Sequence, residues 1–235
     1  MNRRNSFSIW IGVLVLAGMT VFASTALAGP PLICWPFDIG NAKSLPWGDG
    51  TRGWNTPQSS YNVSGLTRDT VALLTPGTPV IVRMETLRRA TIYASKNASV
   101  ADELLTALQT RAQEAEAKGH PDALAWFDVG YLAEAYKQMA LIDRLQLATP
   151  ALDGYKQVSR AIHLRGGDAE MEFAAALMSA EKTIQAQRDN HWRNAVAGAT
   201  DGSLLATNLV THCQVVGLRA TAMAELRAQS GSVKK

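Results

Sequence analysis

From residue 79 onward, apolar side chains recur at steps of three and four residues, the spacing that places them on one face of an α-helix. Leu124, Phe127, Tyr131, Ala135, Met139 and Ile142 keep that step from about 122 to 143. Val80, Met84, Leu87, Thr91 and Tyr93 predict a helix over 79–95, with Thr78 as a capping oxygen and Pro79 in the first turn. The β-branched run Val80-Ile81-Val82 makes a strand the competing reading there. Ser99, with Asp102 three places on, predicts the next cap, and Leu104, Leu105, Leu108, Ala112 and Ala115 the stripe of a helix that stops at Gly119. Thr149-Pro150 signals a fourth start, carried by Tyr155, Val158 and Ile162 to Gly166-Gly167. Asp168 opens a pattern through Met171, Ala174, Leu177, Met178, Ile184, Trp192 and Val196, either one helix or two with a break near Arg188 to Asn190. Gly202-Ser203 precedes a last stripe through Leu205, Leu209, Cys213, Val216, Ala220, Met223 and Leu226.

Short connections favour antiparallel neighbours, so the expectation for 79–230 is an all-α domain, an antiparallel helical bundle or a short helical array. Residues 231–235 read as a disordered tail. Residues 29–78 differ: Pro30, Pro31, Pro36, Pro46, Pro57 and Pro76 forbid a long helix, while Trp35, Trp47 and Trp54 argue against plain disorder. They predict an irregular Pro/Gly/Trp-rich arm lying on the helical body. Within the body, Trp126-Phe127-Asp128-Val129-Gly130-Tyr131-Leu132-Ala133-Glu134-Ala135-Tyr136, the Tyr155 to Leu164 segment and the fresh start at Asp168 give 122–178 a text that resembles a tetratricopeptide-type helical hairpin array. No 34-residue spacing recurs and the helices are unequal in length, so the resemblance carries over no binding residue.

The amino terminus changes the picture of where the chain acts. Arg3 and Arg4, the apolar run from Ile9 to Phe22 and Ala26-Leu27-Ala28 are the three parts of a cleavable signal peptide over 1–28. The apolar run is shorter than the roughly 20 residues a membrane span needs, and no later run is longer. The expectation is an exported protein, periplasmic or secreted, with no membrane attachment after cleavage. Of 23 lysines and arginines, Arg3 and Arg4 leave with the leader, so the remainder nearly balances the 20 acids. A nearly neutral chain has no electrostatic reason to seek nucleic acid. The cysteines Cys34 and Cys213 are the candidate disulfide, since bonds between thiols persist outside the cell; two inert thiols are the alternative.

Motifs of common chemistry are missing. There is no G-x-S-x-G, H-E-x-x-H, G-x-x-x-x-G-K-[ST], C-x-x-C or C-x-x-C-H. No cofactor and no metal site is expected: His191 and His212, beside Trp192 and Cys213, form only a thin His/Cys pairing, and His120 and His163 read as a loop residue and a helix-end residue. Asp168, Glu170 and Glu172 crowd a helix start, where the dipole stabilises negative charge. Glu134 lies among apolar neighbours, but Lys137 and Gln138 suggest a water-facing edge. The candidate ligand-binding residues are Trp35, Asp38, Asn41 and Lys43, on an unusual stretch from 32 to 47, together with Trp126 and Tyr131. With Phe127, Tyr136 and Tyr155 these last two suggest an aromatic groove between helices. The functional expectation is a helical protein that binds a protein, a peptide or a small apolar ligand; an enzyme with its site between the 32–47 arm and the body is the alternative.

Overall fold

A computed structural model describes residues 29–48, 53–143, 145, 152–179 and 185–232. The expected leader at 1–28, the expected start signal at Thr149-Pro150 and residues 233–235 lie outside the described residues. The described residues form ten α-helices and no strand, apart from an isolated antiparallel bridge between Trp47 and Pro57. The fold is all-α.

In chain order the helices are α1 (Pro31–Cys34), α2 (Leu66–Leu73), α3 (Val80–Ala94), α4 (Ala98–Ala117), α5 (Ala123–Asp143), α6 (Gly154–Leu164), α7 (Ala169–Met178), α8 (Gln185–Gly198), α9 (Leu204–His212) and α10 (Met223–Ser232). The centre is α3, in which every residue except Arg89 is buried. A helix covered on all sides can bury three apolar residues in succession, so Val80-Ile81-Val82 belongs to a helix and not to a strand, and the charges that the same helix buries are paired. Its first free N–H groups find a partner in a distant carboxylate: the Ile81 amide donates to Glu170 Oε2 at 3.1 Å.

Several boundaries correct the sequence reading. The cap of α4 is Asn97, whose side chain accepts from the Val100 amide at 3.3 Å, so Ser99 lies inside the first turn. Asp153 caps α6. The Asp168 pattern is two helices, α7 and α8, and Arg188 to Asn190 lie within the second. The last stripe is also broken: α9 runs into a turn of 3-10 helix over Cys213–Val216, Gly217 takes φ 80°, and α10 starts only at Met223. The arm is less irregular than its prolines imply, since α2 follows a 3-10 turn at Val63–Gly65 and buries Leu66 and Thr70. Helix α10 continues through Ser232, into the segment expected to be disordered.

Between α5 and α6 the two backbones meet at paired glycines. A Cβ on Gly130 would lie 2.6 Å from the Gly154 carbonyl oxygen, and one on Gly154 would lie 2.9 Å from the Glu134 amide nitrogen. Backbone cannot yield as a flexible side chain does, so Gly130→Ala should cost about 1–3 kcal/mol by overpacking, although alanine favours the helix by roughly 1 kcal/mol. Urea unfolding at neutral pH measures the loss. Gly77→Ala, where nothing lies within 4 Å of the added carbon, is the control and should leave stability unchanged or slightly raised.

Candidate functional site

The stretch 32–47 is held by side chains that the body buries. Glu85 is almost fully buried on α3 and receives Arg88 Nε at 2.7 Å, Arg88 Nη2 at 2.9 Å, Arg89 Nε at 2.7 Å and the Phe37 amide at 3.0 Å. Burial alone would raise its carboxyl pKa, but the hydrogen bonds and charges of Arg88 and Arg89 outweigh this and hold it below the ordinary 4.5. Arg88, itself without exposure, spends its remaining donor on the carbonyls of Ile33 at 3.1 Å and Trp54 at 3.0 Å, with the Trp47 ring 5.0 Å from its guanidinium. Arg89 reaches the Leu45 carbonyl at 2.8 Å, and the Tyr93 hydroxyl donates to that of Pro46 at 2.6 Å.

Helices α5 and α9 complete the clamp. Gln138 accepts from the Leu32 amide at 2.8 Å, and Asn208 pairs with both backbone groups of Asp38, at 2.9 and 2.8 Å. The Phe37 ring stacks on His212 at 4.8 Å with 4° between planes. Burial depresses the His212 pKa below 6.5 against the raising effect of the Asn208 and Trp35 carbonyls, and Nδ1–H donates to the Asn208 carbonyl at 2.9 Å. What the clamp leaves outside is a turn: Asp38, Asn41 and Lys43 are exposed between buried Phe37, Ile39 and Leu45. Gly40 makes the turn at φ 56°, and its amide donates to the Asp38 side chain at 2.8 Å.

The other expected site residues fall elsewhere. Trp35 is half-buried beside His212. Tyr131 has no exposure and packs on Phe127; Trp126 is 8% exposed beneath the Arg160 guanidinium, 4.4 Å away. Tyr136 is likewise enclosed. The aromatics read as a groove lining are therefore core, which is where large rings contribute most. Cys34 and Cys213 are both free thiols, which corrects the disulfide reading; Cys34 lies against Gly29, and the Cys213 thiol faces the Ala220 carbonyl at 3.8 Å. Burial pushes the Cys34 thiol above its ordinary pKa, which makes it a poorer nucleophile. Glu134 is nearly buried and takes exposed Lys137 at 3.0 Å, while Gln138 is buried, so water meets this edge at Lys137 alone.

His191 and His212 do not meet. His191 instead joins two other residues that the sequence set apart: the Tyr155 hydroxyl lies 2.7 Å from Nε2, and Glu172 Oε2 lies 2.5 Å from Nδ1, with Asn194 holding the other carboxylate oxygen at 3.2 Å. A neutral ring with Nδ1–H facing the acid leaves Nε2 to accept from the phenol, the arrangement of a carboxylate-oriented base. As built, it ties α6, α7 and α8 together.

Two recesses open near the carboxyl end. One, of about 490 Å³, runs between α9 and α10 past Ala206, Thr207, Val210, Thr211, Ala222 and Met223, with the Asp201–Arg227 ion pair at its edge. The other, of about 190 Å³, lies between α8 and α10. The first adjoins the exposed turn: Leu204 and Asn208 on α9 touch the turn at Gly40 and Asp38, while Thr207 and Thr211, each three residues further along, are their neighbours on the helix surface. Among the described residues, no group of three or more His, Cys, Asp or Glu side chains is arranged to hold a metal ion, and no helix is long and apolar enough to cross a membrane. Comparison with known proteins finds no family model, no curated sequence and no solved structure that matches this chain.

Proposed function

We propose that this protein is an exported interaction protein that grips a peptide segment of a partner along the α9/α10 groove, with the Asp38 to Lys43 turn reading the flanking polar residues. The observation that carries this reading is the continuity of the turn with the groove across α9. A loop that presents polar residues from a rigid scaffold is a common recognition device, and here Glu85, Arg88, Arg89, Tyr93, Gln138, Asn208 and His212 of the body hold the segment around it. Small apolar walls at Ala206, Val210 and Ala222 suit modest apolar side chains, and Thr207, Thr211 and Thr221 supply hydroxyls for a peptide backbone. An enzymatic site between arm and body has less support, because the polar groups there are engaged with one another.

Site-specific photo-crosslinking in the producing cell tests the proposal. A benzophenone amino acid at Thr207 or Asn41 should trap the same partner in the exported fraction, and one at exposed Gln113 on α4 should not. Lys43→Glu should reduce the Thr207 adduct several-fold. Equal adducts at all three positions, or none at Thr207 and Asn41, would remove the interaction face.

A further inference from the structure

The smaller recess, separate from the proposed interaction face, holds an unanswered hydrogen-bond donor. Trp192 on α8 is 3% exposed and packs edge-on to Phe173 at 5.9 Å, yet its indole Nε1 has no partner. Ser230 Oγ on α10 is likewise buried and unpaired. Both residues line the recess of about 190 Å³, together with Arg188, Arg193, Val216 and Leu218. An indole nitrogen can only donate, and leaving a buried donor unmet is destabilising. Two such atoms on residues lining one small recess therefore call for an acceptor that no described residue supplies.

The surrounding charge says what kind of acceptor. Arg188 is paired with Asp189 at 2.9 Å. Arg193 donates only to the Asp189 carbonyl at 3.3 Å and to the Asn190 side chain, and pairs with no carboxylate among the described residues. Among the described lining residues two guanidiniums face one acid, and guanidinium geometry matches a carboxylate. Val216 and Leu218 form an apolar wall. The volume, about six times a water molecule's share of the liquid, admits a short-chain or single-ring acid. We propose that the recess binds a small organic monocarboxylate, whose oxygens accept from the Trp192 indole and the Ser230 hydroxyl beside Arg193 while its tail lies on Val216 and Leu218. Both donor atoms are shielded from solvent, so binding requires α8 and α10 to part and uncover them.

Nitrogen-15 NMR of the exported chain tests this through the indole N–H signals, with Trp192→Phe identifying the one that matters. Phenylacetate should shift the Trp192 signal saturably at millimolar or lower concentration. Its neutral isostere phenylacetamide should not, and Arg193→Gln, a partly exposed change that leaves the core intact, should weaken the titration about tenfold or more. Isovalerate, the aliphatic probe, should behave as phenylacetate does if the recess takes the shorter tail. Absence of any Trp192 shift with both acids would overturn the proposal. So would an equal shift with the amide, or one that inorganic phosphate alone reproduces.

Discussion

A chain lacking residues 29–60 should melt far below the full protein or aggregate on expression. The deletion strips Leu32, Ile33, Phe37, Ile39 and Leu45 from the core, all buried, and each large apolar side chain contributes on the order of 1.5 to 3 kcal/mol. Against a typical total stability of about 5–15 kcal/mol, that loss alone is close to decisive. The polar loss acts in the same direction. Gln138, Asn208, Arg88 and Glu85 would each lose a backbone partner, and a buried polar group left without one costs about 1–3 kcal/mol. Calorimetry with size-exclusion chromatography reads the outcome, and a truncated monomer that melts within a few degrees of the full chain would show that the segment is not structural. Reducing agent separates this from a covalent role: with Cys34 and Cys213 both free thiols, it should leave the melting temperature unchanged.

The long body helices were legible because each carried a stripe and most carried a stop signal. Gly119 ends α4 with φ 78°, its amide reaching Glu116 and that of His120 reaching Ala115, as a glycine at that place in a helix end should. The break in the Asp168 pattern was placed near Arg188 to Asn190, whereas α7 ends at Met178 and α8 starts at Gln185, and the break after Gly217 was hidden, because apolar residues fall in step on both sides of each. The aromatics of α5 misled for a related reason. Its sequence is apolar on every side, which signals a helix enclosed by neighbours, so Phe127, Tyr131 and Tyr136 had no free face from which to line a groove. The clamp around 32–47 could not be read at all from local pattern, since Asn208 lies 170 residues from Asp38 and Gln138 106 from Leu32. One trace of it stands in the sequence. Arg83, Glu85, Arg88 and Arg89 occur in a segment otherwise filled by Val, Ile, Met, Leu, Ala, Thr and Tyr, with Arg88 three and Arg89 four places after Glu85. Charges on a helix with no polar face must pair with one another or with a buried backbone. The glycine pair 130 and 154 left no comparable trace, because only the packed structure shows that they face each other.

Replacing Arg88 by methionine should be the most damaging single change in the chain, at about 3–5 kcal/mol, the usual effect of removing one partner from a buried ion pair. Glu85 would keep Arg89 and the Phe37 amide but lose two of its charge-assisted bonds, and the carbonyls of Ile33 and Trp54 would lose their shared donor. The pH dependence gives a second reading of the same pair. In the wild type the Glu85 pKa is lower folded than the ordinary 4.5, so its contribution is complete above about 4.5 and is lost as pH falls through the lower folded value. Asp128 works in the opposite sense. It is fully buried against Arg83 at 2.5 Å, and desolvation pushes its pKa up to about 7 in spite of that partner, so its ionisation withdraws stability as pH rises from about 4 to about 7. With Arg88 gone, desolvation of Glu85 meets one guanidinium instead of two, its folded pKa rises, and the acid-side loss of stability should shrink while the slope from Asp128 is unaltered. Urea unfolding from pH 3 to 8 on wild type, Arg88→Met and the milder Arg88→Lys measures both effects. Lysine keeps the charge but cannot fork to Glu85 and the two carbonyls together, so it should fall between the others. An Arg88→Met protein within about 1 kcal/mol of wild type at pH 7, with an unchanged acid limb, would mean that Glu85 and its arginines do not hold the segment in place.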